Sequence, residues 1–162
     1  TEGMESLEQE VGALLRRKGL TLALVESASG GLISHLITNV PGSSDYYKGS
    51  ITAYSNQVKV KLVGVKEKTL EEYGAVSPQV AEEMAQSGRK LLAADICLAD
   101  TGIAGPGGAT QGKPVGFFCI GLSHRAGTSS RRYNFTGNRQ QNKQKAAEAA
   151  LCWLREYLLD LE

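Results

Sequence analysis

The sequence predicts an α/β domain, a sheet with helices on both faces, and three observations carry that prediction. Two short, nearly continuous apolar runs, residues 20–25 (LTLALV) and 96–101 (ICLADT), read as strands buried on both faces. Segments with apolar residues at helical spacing alternate with them, the pattern of helices laid over a largely buried sheet. Both runs end in small-residue turns, 26–31 (ESASGG) and 102–108 (GIAGPGG). Ligands of such folds bind outside the carboxyl ends of the strands.

The elements follow in order. Leu7, Val11, Leu14 and Leu15 predict a helix over 4–18, stopped by Gly19. After the first strand and its glycine turn, Leu32, Ile33, Leu36 and Ile37 open a second helix, broken by Pro41 and Gly42. Residues 50–55 alternate as a strand. Asn56 is then read as the N-cap of a helix through Val58, Leu62 and Val63, closed by Gly64. A short polar helix at 67–72 precedes a longer one starting at Ser77-Pro78 and running to about residue 93, since proline suits the first helical turn. Residues 114–123 and 130–135 predict an antiparallel strand pair joined through 124–127. A last helix spans about 138–159.

The bulk properties narrow the class. A chain of 162 residues with 41% apolar and 22% charged content reads as a single soluble domain over 1–162. The formal net charge of +1 argues against a nucleic-acid surface. No apolar run approaches the ~20 residues of a membrane span and no signal peptide is visible, so the expected location is cytoplasmic. Cys97, Cys119 and Cys152 lack metal-ligand spacing and sit in apolar segments, so each is expected to be a small buried hydrophobe. Thr1 to Gly3 precede the first methionine, so either they are an expression remnant or the domain comes from the end of a longer protein.

Chemistry concentrates in residues 41–61, PGSSDYYKGSITAYSNQVKVK. A serine hydroxyl attacks poorly unless a base removes its proton. No acid–histidine pair is evident, which leaves a lysine as the base. Such a lysine must be neutral, so its pKa has to fall from ~10.4 through burial, a helix N-terminus or a nearby cation. Lys59, read as third after the Asn56 cap, is the candidate, since a helix N-terminus disfavours a further positive charge. The adjacent serines Ser43 and Ser44 are candidates for the nucleophile, with turn residues as the plainer alternative. Ser27, at a strand end beside glycines, competes with them. Tyr54 is placed to relay or position a proton, with a core tyrosine as the plainer alternative. Glu26 reads as an anchor of its turn, and Asp100 as near enough to matter electrostatically. The glycines of 102–108 lack the P-loop pattern.

Taken together, ESASGG after the first strand, PGSS, AYSNQVK, YGAVS, TGIAGPGG and KPVG resemble the CinA C-terminal-domain family, which includes nicotinamide mononucleotide amidases. The resemblance implies a three-layer α/β/α sandwich with a mixed sheet. It implies hydrolysis of the carboxamide of nicotinamide mononucleotide, within pyridine-nucleotide salvage, without metal or cofactor. The implied partners are the nucleotide substrate and further copies of the chain, with neither nucleic acid nor membrane. Matched by position, it puts Ser44, Lys59, Tyr54 and Ser27 in the catalytic set. Ser29, Gly30, Gly31, Asn56, Thr101, Gly102 and Arg139 fall in the substrate-binding set. Two departures stand out. The family's ESCTGG is ESASGG here, with Ala28 and Ser29, and its GDR is Gly137-Asn138-Arg139. The alternative function is a nucleotide-binding module with weak or no turnover, possibly the C-terminal part of a longer protein.

Overall fold

The structure is a computed structural model, and it describes residues 5–161. A five-stranded mixed sheet, in the order β2-β1-β3-β4-β5, carries helices on both faces. Strands β1 (Leu22–Glu26), β2 (Tyr47–Thr52) and β3 (Ile96–Gly102) run parallel. Strands β4 (Phe117–His124) and β5 (Gly127–Asn134) add an antiparallel hairpin at the other side. The α/β/α arrangement expected from the sequence is the one observed.

Helix α1 (Leu7–Lys18) begins with a capping box between Ser6 and Gln9 and ends on Gly19 at φ 67°. The expected start at Met4 lies outside the described residues. Helix α2 (Leu32–Thr38) follows β1 directly. A short α turn, α3 (Asn56–Val58), continues as a π-helical turn over Lys59–Val63. Helices α4 (Glu67–Tyr73) and α5 (Pro78–Leu91) come next, and α6 (Arg139–Asp160) closes the chain. Among the described residues no helix is long and apolar enough to cross a membrane.

Side chains alternate across β1 and β3, which builds two cores. Leu22, Leu24, Ile96 and Leu98 pack under α1, α2 and α6, against Leu15, Ile33 and Leu154. Ala23, Val25, Cys97 and Ala99 face α5 through Val80 and Met84. The second face is lined with small residues because α5 lies very close to the sheet. A Cβ on Gly121 of β4 would fall 2.3 Å from the Ala81 carbonyl oxygen of α5, so only glycine allows that approach.

Three expectations need correction. Strand β2 starts at Tyr47, before the predicted residue 50, and its half-buried, half-exposed alternation marks an edge strand. The hairpin is tighter than predicted, with His124 paired directly to Gly127. Cys97 and Cys119 are buried, but Cys152 is exposed, because it falls on the outer face of α6 while Leu151 and Trp153 turn inward.

Candidate active site

A cavity of about 300 Å³ opens at the carboxyl ends of β1 and β3. Ser27 and Ala28 enter it from the turn after β1, Tyr54 and Lys59 from the segment after β2, and Thr101 and Gly102 from the end of β3. Arg139, first residue of α6, closes one side.

The first turn is held by two buried carboxylates. Asp100, wholly buried in β3, accepts the Ser27 N–H at 3.1 Å and the Ser29 N–H at 3.0 Å, and also bonds the Ser29 hydroxyl. Glu26, also wholly buried, accepts the Ser29 hydroxyl at 2.7 Å. It also accepts the Ile33 and Ser34 N–H groups, each at 2.9 Å, and so caps α2 in place of a side chain at Gly31. Burial pushes the Asp100 carboxyl up to about 6; Glu26 adds to that rise, and the hydrogen bonds from Ser27 and Ser29 oppose it. Within this turn the Ala28 N–H has no hydrogen-bond partner among the described residues, and Ala28 lines the cavity.

Lys59 is 2% exposed, an uncommon state for a lysine. Its Nζ donates to the Tyr54 carbonyl oxygen at 3.0 Å, a neutral partner. Burial holds its pKa below the ordinary lysine value, with Asp100 pulling partly the other way. Ser55, rather than Asn56, caps this helical segment, its hydroxyl accepting the Val58 N–H. Desolvation therefore dominates over the helix-end effect expected for Lys59. Tyr54 is 61% exposed at the rim, which removes the core-tyrosine alternative. Arg139 donates to the Tyr54 hydroxyl at 3.0 Å and to the Gly105 carbonyl at 2.8 Å. Asn56 lines the cavity without capping anything.

The structure thus brings together Ser27, Lys59, Tyr54, Asn56, Thr101, Gly102 and Arg139. It does not bring Ser44 there. Ser44 is exposed in the single turn Ser43–Asp45, ahead of β2, whose first residue Tyr47 pairs with Leu22 at the start of β1. Parallel pairing puts that turn off the amino end of the strands, the opposite end from the cavity. The turn is tied to α1 by an ion pair between Arg16 and Asp45. The proposed Ser44–Lys59 pairing is therefore corrected.

Ser29, Gly30 and Gly31 are corrected as well. Ser29 is wholly buried between the two carboxylates, and the glycines border a separate groove with Lys143 and His35. Gly30 and Gly31 have φ of +65° and +98°, so the sharp turn itself explains them. Thr101 donates its hydroxyl proton to the Ala75 carbonyl at 2.7 Å, so it has no proton left for a ligand.

Sequence reasoning passed over Ala75 and Val76, which also line the cavity, and placed the 102–108 turn at the strand ends without singling out Gly105, Gly107 and Gly108, which line it too. The YGAVS and GPGG stretches were the signal for them. Asp100, read only as an electrostatic neighbour, turns out to position the Ser27 turn.

Fold and cavity define an α/β domain with a pocket of mixed polar and apolar lining at the carboxyl ends of its parallel strands. The comparisons carry this further. The CinA C-terminal domain profile matches residues 4–158, and the chain belongs to that family. It is 47% identical over 154 residues to a CinA-like protein of Thermotoga neapolitana, covering 95% of this chain and 38% of that one. It is 46% identical over 158 residues to a CinA-like protein of Geobacter sulfurreducens, covering 98% and 38%. The chain therefore spans little more than a third of the length of these curated relatives. The crystal structure of a competence or damage-inducible protein from Enterobacter asburiae superposes with a TM-score of 0.91 at 33% identity, covering 94% of this chain and 96% of that one.

Proposed function

We propose that the domain is an amidohydrolase converting nicotinamide mononucleotide to nicotinic acid mononucleotide and ammonia, with Ser27 as nucleophile and Lys59 as its base. The carrying observation is a lysine almost wholly withdrawn from water, without a carboxylate partner, lining the same cavity as a strand-end serine. Desolvation favours the neutral amine that a Ser–Lys pair requires. The nucleotide itself is inferred from family resemblance, and the cavity volume suits a small polar ligand.

In this reading Lys59 Nζ takes the Ser27 hydroxyl proton as Oγ bonds to the carboxamide carbon. The oxyanion of the tetrahedral intermediate is met by the free Ala28 N–H, the backbone donor next to the nucleophile. Collapse of the intermediate breaks the C–N bond, and the lysine proton leaves with ammonia. Water, deprotonated by the neutral Lys59, then cleaves the acyl ester and restores Ser27. Asp100 acts as a positioning residue, because it fixes the backbone on both sides of Ala28. Arg139, oriented by Gly105 and Tyr54, and the backbone of Gly107 and Gly108 are the groups suited to the substrate phosphate.

The test is ammonia release from nicotinamide mononucleotide by purified protein, with Ser27→Ala and Lys59→Ala alongside. Release by the wild type and its loss in both variants supports the proposal. Nucleotide binding with no release from any of the three would instead make the domain a binding module.

A further inference from the structure

A second cavity, of about 440 Å³, lies at the far end of the sheet, between the end of α5 and the β4–β5 hairpin. Its position in the sheet separates it from the candidate active site. Ser123, on its wall, pairs with Cys97 at the start of β3, whereas Gly102 at the other end of that strand lines the first cavity. Five residues of strand put roughly 17 Å between them.

Several uncommitted side-chain groups around this cavity are donors, beside the acceptors Glu82 Oε1 and the Gln86 amide oxygen. Arg89 is half-buried, and its Nε is sealed from solvent with no hydrogen-bond partner among the described residues. A ligand in the open cavity would meet the terminal guanidinium N–H groups of Arg89, which likewise have no hydrogen-bond partner among the described residues. Ser123 is 1% exposed; its oxygen accepts from the Thr128 hydroxyl at 2.8 Å, which leaves its own proton to give. His124 accepts the Ala126 N–H on Nδ1 at 3.1 Å, so the neutral ring carries its proton on Nε2. Burial and the nearby Arg89 both hold the His124 pKa down, in keeping with a neutral ring beside a guanidinium. Arg125, exposed in the hairpin, adds a second guanidinium. Among the described residues Glu82 is the one carboxylate on the wall, and its Oε2 already accepts from the Ser130 hydroxyl at 2.5 Å.

We propose that this cavity is a binding site for a phosphate-class anion, distinct from the candidate active site. Arg89, Ser123, His124 and Arg125 line it from a helix, a strand and a turn, and carry between them two guanidiniums, a hydroxyl and an imidazole N–H. Donors arriving from several directions match a tetrahedral oxyanion better than a planar carboxylate, and guanidinium binds phosphate oxygens in pairs.

The experiment is calorimetric titration of the full chain with inorganic phosphate at constant ionic strength, chloride replacing phosphate in the control. The titration is run in an Arg139→Ala background, which removes the guanidinium suited to the substrate phosphate, and saturable single-site binding is expected there. It should weaken at least tenfold when Arg89→Gln is added, and the His124 ring resonances should shift with occupancy. Absence of saturable binding in that background, or equal affinity after Arg89→Gln is added, overturns the proposal. If Arg89→Gln does not fold, the exposed Arg125→Ala substitutes; a threefold or greater loss supports the site and no change overturns it. Binding is read without an enzymatic assay, so the outcome is independent of the amidase reading.

Discussion

Two serine turns flank the first parallel pair of strands, and they differ in almost every physical respect. The turn after β1 is buried, anchored by Glu26 and Asp100, and opens on the cavity beside Lys59. The turn before β2 carries Ser44 in solvent and is held by an exposed ion pair between Arg16 and Asp45. Both look alike in sequence: small residues, hydroxyls and a glycine. What separates them is the direction of the chain. In parallel strands a turn that leaves a strand and one that enters its neighbour lie at opposite ends of the sheet, and loops at the carboxyl ends form the ligand crevice.

The sharpest way to break the comparison is to remove each hydroxyl. Ser27→Ala should lower kcat/KM for ammonia release by about 10³-fold or more, as expected for loss of a nucleophile, and Ser44→Ala should leave it within about twofold. The reverse result would return Ser44 to the site. Lys59→Met should cost about 10²–10⁴-fold in the same assay. Its thermal midpoint should equal or exceed that of wild type, because an apolar side chain replaces a buried amine lacking a charged partner. A large fall in the midpoint together with retained activity would make the lysine merely structural.

The two anchors should differ in energy. Asp100→Ala leaves two buried N–H groups without acceptors, at about 1–3 kcal/mol each, so a loss of roughly 3 kcal/mol is expected in denaturant unfolding. Asp45→Ala removes a solvent-screened ion pair whose partners are 50% and 62% exposed, and should change stability by less than about 1 kcal/mol. Equal losses would erase the distinction between the turns.

The smaller effects are in pH dependence. Lys59 works only when neutral, so kcat/KM should rise with pH through a value below that of free lysine and then level off. A limb still climbing at the ordinary value of ~10.4 would contradict a desolvated base. Asp100 titrates at about 6 in the fold and near ~3.9 unfolded, so the folded state binds the extra proton between those values. That proton's stabilising contribution is full below about pH 4 and is lost as pH rises through about 6. Unfolding free energies from pH 4 to 7 should show this downward contribution in wild type and lack it in Asp100→Asn.

Much of the architecture was legible because it depends on local pattern. LTLALV and ICLADT could only be strands covered on both faces, and Ser77-Pro78 and Gly19 marked helix ends by their backbone preferences. The cap of the third helical segment was misplaced by one residue, since Ser55 and Asn56 are both good caps and only geometry selects between them. Lys59 was found for a partly mistaken reason: burial supplies most of its shift, and burial cannot be seen in a sequence. Ser29 was misread because a hydroxyl between two buried carboxylates looks no different from one facing a ligand.

The sequence by itself determined the alternation of helices and buried strands, the glycine turns, and a small set of hydroxyl, amine and guanidinium groups able to do the chemistry. These follow from periodicity and backbone conformational cost, which act over a few residues. The tertiary structure alone decided which serine shares a cavity with Lys59, which carboxylates hold the turn, and where donors are left without partners. Those facts depend on strand direction and on exclusion of water, and both arise only when segments distant in sequence are packed together.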